Sequence, residues 1–163
     1  MELRAPLPDD YAAIRQIVRA AFYKSRFDEA GVIDGVRADN AVAVELVAVE
    51  GEEIRGHVLF SRMTCDPPAP VVGLGPVAVS PAHQGKGIGD ALCRAGLAAC
   101  AELGASGAVV LGHPTYYPRF GFSREAALPL RSPFSDLPAF MAMPLTPGGL
   151  DGVEAVAYPP AFG

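Results

Sequence analysis

The sequence predicts one α/β domain over residues 1–163, with a mixed sheet flanked by helices. Two extended segments, 42–49 and 54–64, are separated only by the turn 51–53, which predicts an antiparallel hairpin. Later a strand, a glycine-rich turn, a helix and a second strand follow one another, which is the order of a parallel βαβ unit. The chain is 50% hydrophobic and 19% charged, so it has enough apolar residues to fold at this length.

The N-terminal part of the chain combines a short strand with two helices. Residues 2–4 alternate polar and apolar, and Asp9 or Asp10 is placed to cap the helix that follows. A weaker apolar stripe, broken by two glycines, predicts a second helix over 28–38. The first helix has a clear apolar face at three- and four-residue spacing, formed by Ile14, Ile17, Val18, Ala21 and Phe22.

The strand predicted over 71–79 has an unusual composition. Gly73, Gly75 and Pro76 lie near its middle. Glycine and proline weaken a strand interior, and they often mark a bulge or a place where a ligand or another backbone approaches closely. We therefore expect a bulge or a splayed edge in this strand.

The remaining elements complete the βαβ unit and add late strands. A helix is predicted over 87–103, with Gly104 as its C-terminal cap, and a buried strand over 108–111. Beyond it, strands are predicted over 140–145 and 153–158 and a loop over 127–138. The predicted buried face of the long helix consists of Ile88, Leu92, Ala95, Ala99 and Leu103.

Composition excludes several classes of function. A net charge of −5 argues against a nucleic-acid surface, which needs clustered basic residues. No apolar run reaches the roughly 18 residues of a membrane span, and no secretory pattern is present, so we expect a cytoplasmic protein. Cys65, Cys93 and Cys100 are too scattered for a disulfide framework or a metal site, so we expect reduced core cysteines and no metal.

The turn after the splayed strand is the segment most informative about chemistry. It reads Gln84-x-x-Gly87-x-Gly89, with Gly85 and Lys86 between. Alternate glycines here make either a flexible turn or a cradle of backbone N–H groups for an anion, aided by the helix dipole. The strand-to-helix context favours the anion, and Lys86 adds a positive charge.

Two common phosphate motifs do not fit this chain. A P-loop needs Ser or Thr directly after its lysine and a glycine six residues before it, whereas Lys86 is followed by Gly87 and preceded there by Ser80. Residues 73–78 match a dinucleotide fingerprint that ends in alanine, but they lie inside a strand and no helix starts there. Neither motif explains the turn.

The turn instead resembles the pyrophosphate-binding motif of the GNAT superfamily of N-acetyltransferases. The match is Gln84-x-x-Gly87-x-Gly89, with Val79 five residues before it and a helix after it. Residues 117–122, Tyr-Pro-Arg-Phe-Gly-Phe, are similar to that superfamily's later motif of Tyr, three residues and Gly-Phe. Residues 111–122 and 158–162 are especially similar to the acetyltransferase branch labelled YhbS-like.

This resemblance implies a twisted, mostly antiparallel mixed sheet, splayed between two central parallel strands, 71–79 and 108–111. It implies acetyl-CoA as cosubstrate in the opening, with its pantetheine against the splayed strand and its pyrophosphate on the glycine-rich turn. The cofactor-binding residues so implied are Val77, Ala78, Val79, Gln84, Gly85, Lys86, Gly87, Ile88, Gly89, Tyr117 and Phe120.

The implied reaction is direct transfer of an acetyl group to a primary amine of a small molecule or peptide. By resemblance, Tyr117 is the general acid that protonates the leaving thiolate, with Tyr116 as the alternative. The splayed strand contains no acid, so the general base is open. His113, after the other central strand, is either that base or a structural or substrate-binding residue. A non-catalytic sensor that binds CoA with the same fold is the alternative function.

The other polar residues are not expected to be catalytic. We expect Glu45, His57 and Asp66 to face solvent and His83 to flank the cofactor turn.

The sequence does not identify the acceptor. Aminoglycosides, polyamines, amino acids and protein N-termini all stay open as acceptors, although the acidic net charge mildly favours cationic amines. The segment 127–138 shapes either the acceptor pocket or a homodimer contact.

Overall fold

The computed structural model describes residues 1–163, which form eight strands and four α-helices joined by short 3-10 turns. The strands are β1 (Glu2–Arg4), β2 (Val42–Glu50), β3 (Glu53–Arg62), β4 (Thr64–Asp66), β5 (Val71–Val79), β6 (Gly107–Leu111), β7 (Phe140–Pro144) and β8 (Ala155–Ala157). The helices are α1 (Tyr11–Ala21), α2 (Glu29–Ala38), α3 (Ile88–Glu102) and α4 (Arg124–Ala127).

The main sheet has six strands in the order β1-β2-β3-β5-β6-β7. Its neighbours are antiparallel except for β5 and β6, which run parallel and are joined through α3. The small strands β4 and β8 form a separate antiparallel ribbon. The predicted hairpin is β2 and β3, and the predicted βαβ unit is β5, α3 and β6, so both are confirmed.

The two central strands separate part-way along β5. Residues Val71 to Leu74 pair with β6, while Val77 to Val79 pair with β3 alone. From Gly75 onward the edge of β5 that faces β6 has no strand partner, because β6 ends at Leu111. The splayed strand is therefore confirmed, and the opening lies at its C-terminal end.

Helices cover both faces of the sheet. Helices α1 and α2 pack on one face around Ile14, Ile33 and Leu59. Helix α3 packs on the other face around Phe60 and Leu92. Buried residues on alternate positions of β3 therefore belong to two different cores.

Gly96 lets α3 approach the sheet closely. A Cβ added there would lie 2.0 Å from a ring carbon of Phe60, which is fully buried. Leu103 is 72% exposed, so its prediction as a buried residue is wrong, since it follows the last helical residue. The buried face of α3 consists of Ile88, Leu92, Cys93, Gly96, Leu97 and Cys100.

The start of α1 also differs from prediction. Asp10 occupies the N-cap position, but its side chain makes no capping bond to the helix. Its carboxylate accepts hydrogen bonds from Arg4 and from the Leu7 backbone N–H instead. The next helix is capped by a side chain, because Asp28 accepts from the Gly31 N–H at 3.0 Å.

The cysteines are free and buried, as predicted. Burial raises the pKa values of the Cys93 and Cys100 thiols to about 12, so both stay protonated at neutral pH. No helix has the length and apolar character that crossing a bilayer requires.

Candidate functional site

A cavity of about 1220 Å³ occupies the opening between β5 and β6. One part of its wall is the end of β5 with the glycine-rich turn 84–90, and a second part is the segment 111–119 after β6. The rest comes from residues between 21 and 32, from Pro133 and Phe134, and from the C-terminal residues 157–163. Residues from five separate parts of the chain therefore meet around one space.

The glycine-rich turn lines this cavity and carries a row of unpaired backbone donors. From Gln84 to Asp90 no backbone N–H donates to a carbonyl or a side chain, and the first amide to do so is that of Ala91, to Gly87. The last residues of this row belong to the first turn of α3, whose N–H groups have no partner within the helix. Such a row matches an anionic group in both charge and hydrogen bonding.

The conformation of this turn depends on glycine at two positions. Gly85 has φ 77° and Gly87 has φ 85°, in the left-handed region that disfavours a Cβ. Gln84 closes the turn, because its side-chain amide donates to the Val79 carbonyl at 3.0 Å. The motif glutamine thus has a structural function that spacing alone did not predict.

Tyr117 lies on the opposite side of the opening, in a 3-10 turn over Tyr117–Phe120. Its ring packs over Gly112, where an added Cβ would lie 2.2 Å from a ring carbon. The ring also meets Phe122 edge to face, with centroids 6.1 Å apart. Burial raises the pKa of the Tyr117 hydroxyl, so it keeps its proton at neutral pH.

Tyr116 is held differently from its neighbour. Its hydroxyl donates to Asp90 Oδ1 at 2.5 Å, and Arg119 pairs with the same carboxylate at 3.3 Å. The Arg119 guanidinium also lies over the Tyr116 ring, 4.2 Å from its centroid. These contacts tie the segment after β6 to the first turn of α3.

Most of the predicted site residues line the cavity, but two do not. His113 lines it with an exposed side chain, and its carbonyl accepts from the Tyr116 N–H at 3.1 Å. Lys86 and Phe120 lie beside the cavity without lining it. Phe120 packs its ring 5.5 Å from that of Tyr116. The predicted residues that line it are Val77, Ala78, Val79, Gln84, Gly85, Gly87, Ile88, Gly89, His113 and Tyr117.

A sequence comparison identifies the family of this chain. Residues 11–122 match the Acetyltransferase (GNAT) family. The chain belongs to the GNAT acetyltransferase family. The two segments that resemble GNAT motifs, the glycine-rich turn and the Tyr117 turn, both line the cavity.

Two Escherichia coli proteins are similar in sequence. YhbS of strain K12, an uncharacterized N-acetyltransferase, is 31% identical over 159 residues, which cover 96% of this chain and 94% of YhbS. YjhQ of the same strain, also an uncharacterized N-acetyltransferase, is 38% identical over 120 residues. That alignment covers 69% of this chain and 64% of YjhQ, slightly less than two thirds of its length.

Two crystal structures match almost the whole chain. The YhbS structure from Escherichia coli, in complex with CoA, has a TM-score of 0.89 at 31% identity and covers 99% of this chain and 91% of that one. A GNAT acetyltransferase from Brucella melitensis, in complex with acetyl-CoA, has a TM-score of 0.83 at 36% identity and covers 99% and 97%. These matches confirm the predicted GNAT fold.

Two polar residues of the hairpin are buried, so their prediction as solvent-facing is wrong. His57 is fully buried and Glu45 is 9% exposed, whereas Asp66 is exposed as predicted. His57 Nε2 lies 2.7 Å from Glu45 Oε2, and Arg37 of α2 pairs with the same carboxylate at 2.5 Å. The three side chains form one hydrogen-bonded network beneath α2.

Three residues at this GNAT site had no individual signal in the sequence. Asp90 and Arg119 lie far apart in the chain, and their pairing with Tyr116 depends on the approach of α3 to the segment after β6. Gly112 stands directly after a strand, where a glycine is common, so its contact with the Tyr117 ring is visible only in the structure.

His83 lines the cavity beside the glycine-rich turn, where it was expected. The structure contains no cluster of three or more His, Cys, Asp or Glu side chains arranged to hold a metal ion.

Proposed function

We propose that this protein is an N-acetyltransferase that transfers the acetyl group of acetyl-CoA directly to a primary amine. The observation that carries the proposal is the row of unpaired N–H groups from Gln84 to Asp90 at one side of the cavity, facing the turn that holds Tyr117. The CoA and acetyl-CoA complexes of the similar GNAT structures support the choice of anion.

The chain offers separate contacts for the parts of acetyl-CoA. The N–H row would hold the pyrophosphate, with the side chain of Gln84 keeping the turn closed. The free edge of β5 at Val77 and Val79 would hydrogen-bond the pantetheine amides, because it lacks a strand partner there. Lys86 would attract the phosphates from just outside the cavity, and Phe120 would support the tyrosine rings.

Acetyl-CoA supplies an activated thioester, and the net reaction breaks its C–S bond and forms a C–N bond. The amine loses one proton and the CoA sulfur gains one, so no proton is consumed overall. Tyr117 is the proposed donor to the sulfur, because its hydroxyl is protonated at neutral pH and the Asp90 carboxylate is bonded to Tyr116 instead. His113 is the proposed acceptor of the amine proton, since its exposed ring can exchange that proton with water.

CoA binding is the first test, measured by titration calorimetry. The wild-type chain should bind CoA, and Lys86→Glu should weaken binding several-fold by charge repulsion. Lys24→Glu makes the same change in net charge at an exposed position away from the turn, so it should bind like wild type. Failure of the wild-type chain to bind CoA would overturn the proposal.

Turnover is the second test, and it separates the enzyme from a CoA-binding sensor. Acetyl-CoA and a panel of primary amines should release free thiol, with a large loss in Tyr117→Phe. A sensor predicts CoA binding with no thiol release for any amine. The sensor has in its favour that β5 carries no carboxylate beside the opening.

A further inference from the structure

Five aromatic rings line the cavity in addition to those of Tyr116 and Tyr117, and together they are called the aromatic wall. Phe22 and Phe27 come from the connection between α1 and α2. Phe134, Tyr158 and Phe162 come from the C-terminal part of the chain. The pyrophosphate and pantetheine contacts proposed above use the glycine-rich turn and the end of β5, so the aromatic wall is left for the amine.

The C-terminal rings form one packed cluster. The centroid of the Tyr158 ring lies 4.9 Å from that of Phe162 and 5.6 Å from that of Phe134. Tyr158 also lies over β5, where an added Cβ at Gly73 would be 3.1 Å from its ring. Side chains packed against one another and against a strand hold their positions before a ligand arrives, which lowers the cost of binding.

The charges around the aromatic wall are few. Glu29 and Asp90 are the two acidic side chains that line the cavity, and Asp90 is already paired with Arg119 and bonded to Tyr116. Glu29 accepts a hydrogen bond from Ser25 and has no basic partner. One unpaired carboxylate beside apolar rings matches a ligand with one positive charge and an apolar body.

We propose that the acceptor is a primary monoamine that carries an aromatic or similarly large apolar group. The apolar group would lie among the rings of Phe27, Phe134 and Tyr158, with the ammonium drawn toward Glu29. The ammonium would first release one proton to solvent water, and the neutral amine would then attack the thioester and give its second proton to His113 as proposed above. This proposal rests on the N-acetyltransferase function and narrows its acceptor. Aminoglycosides and polyamines fit poorly, because their many polar groups would lose water without gaining partners.

The test measures amine binding, so it does not require turnover. Phenethylamine, ethylamine and putrescine are titrated by calorimetry into the full chain in the presence of saturating CoA. We expect phenethylamine to bind at least tenfold more tightly than either of the others, because only its ring is removed from water. Equal affinities, tighter binding of putrescine, or no binding of phenethylamine would overturn the proposal.

Two exposed aromatic residues of the same connection provide a matched pair of variants. Phe27 is 79% exposed and lines the cavity, whereas Tyr23 is 75% exposed and does not, so neither replacement threatens folding. Phe27→Ala should weaken phenethylamine several-fold and leave ethylamine unchanged, and Tyr23→Ala should change neither. Equal effects of the two variants on phenethylamine would contradict the assignment.

Two further measurements test whether Glu29 contributes to amine binding and whether the aromatic acceptor is a peptide or a free amine. Glu29→Gln should weaken phenethylamine and ethylamine by the same factor, since both carry one ammonium; no change in either would remove Glu29 from the proposal and overturn it. A dipeptide with N-terminal phenylalanine tells a peptide acceptor from a free amine: tighter binding of the dipeptide than of phenethylamine indicates a peptide N-terminus, and the reverse order indicates a free amine.

Thiol release from acetyl-CoA is followed separately. Aromatic preference in binding without thiol release would contradict the enzyme and leave the pocket assignment standing. Thiol release with no aromatic preference would contradict the pocket assignment and leave the enzyme standing.

Discussion

Tyr116 and Asp90 are joined by a hydrogen bond of 2.5 Å between the tyrosine hydroxyl and the Oδ1 atom of the carboxylate. This bond lowers the pKa of Asp90, and the ion pair with Arg119 lowers it further, so the carboxylate stays ionised. The partners of Asp90 are thus Tyr116 and Arg119, and Tyr117 is not among them. The adjacent tyrosines therefore differ in their contacts: the Tyr116 hydroxyl is bonded to Asp90, and the Tyr117 hydroxyl makes no hydrogen bond to another side chain.

Replacing each tyrosine by phenylalanine should separate their functions. Tyr117→Phe removes the proposed proton donor, so kcat for thiol release should fall by roughly 100- to 10,000-fold with little change in the affinity for CoA. Tyr116→Phe should lower the free energy of unfolding by about 1.5 kcal/mol, because it deletes a hydrogen bond to a charged group. A larger loss of kcat in Tyr116→Phe than in Tyr117→Phe would assign the proton donor to Tyr116.

Gly112→Ala should disturb the Tyr117 ring. The added Cβ would lie 2.2 Å from a ring carbon, so the ring must move, at a cost of about 1–3 kcal/mol in unfolding free energy. The value of kcat should fall with it, measured by thiol release. In the Tyr117→Phe background the same substitution should add little further loss of kcat, because the group that it displaces no longer acts. Fully additive losses would show that Gly112 acts by another route.

Glu45 should make the stability of the fold depend on acid. Burial acts to raise the pKa of this carboxyl, but hydrogen bonds from His57 and Arg37 outweigh burial and hold the pKa below its ordinary value of 4.5. A group whose pKa is lower in the folded state stabilises the fold above its unfolded-state pKa. That contribution is lost as the pH falls through the folded-state pKa. The unfolding free energy from urea titrations should therefore decrease as the pH falls below about 4.5.

Two variants test whether Glu45 is responsible. Glu45→Gln should cost about 3 kcal/mol at neutral pH, because it leaves buried partners without their anion, and its stability should vary less with acid. Glu52→Gln changes an exposed carboxylate in the turn between β2 and β3, so it should keep the wild-type pH profile. A Glu45→Gln profile parallel to that of the wild type would exclude this carboxyl as the source.

Tyr158→Phe should stabilise the protein. The Tyr158 hydroxyl is buried and has no hydrogen-bond partner, so its removal relieves a desolvation cost without loss of a bond. We expect a gain of about 1 kcal/mol, measured as a higher urea midpoint with an unchanged slope. Ser61, whose hydroxyl is also buried and unpaired, offers a comparison through Ser61→Ala. A lower midpoint in Tyr158→Phe would mean that the hydroxyl has a partner in solution.

The fold could be predicted from the sequence to a large extent, because its elements follow local patterns. The short turn between β2 and β3 permits only antiparallel pairing, and Gly73, Gly75 and Pro76 predicted a strand that leaves its neighbour. In the structure Gly75 has φ 140°, while Gly73 makes room for the ring of Tyr158 rather than for a ligand. The two glycines of this strand thus have different structural reasons: Gly75 has a positive φ, and Gly73 leaves space for a side chain.

The burial of the hairpin residues was not predictable in the same way. Alternation along a strand separates its two faces, but it identifies a solvent face only if one side of the sheet is bare. Helices cover both faces here, so Glu45 and His57 lie beneath α2 despite their polarity. The Glu45 carboxylate is balanced by Arg37 from another element, which no strand pattern could indicate.

The sequence by itself determined the order of strands and helices and the glycine-rich turn, since these depend on residues close together in the chain. Only the tertiary structure decided which tyrosine is tethered and which rings wall the cavity. Phe27 and Tyr158 line one space although they are distant in sequence. Contacts of that kind are set by how α2 and the C-terminal segment pack on the sheet, and packing depends on shape complementarity across the whole core rather than on any local period.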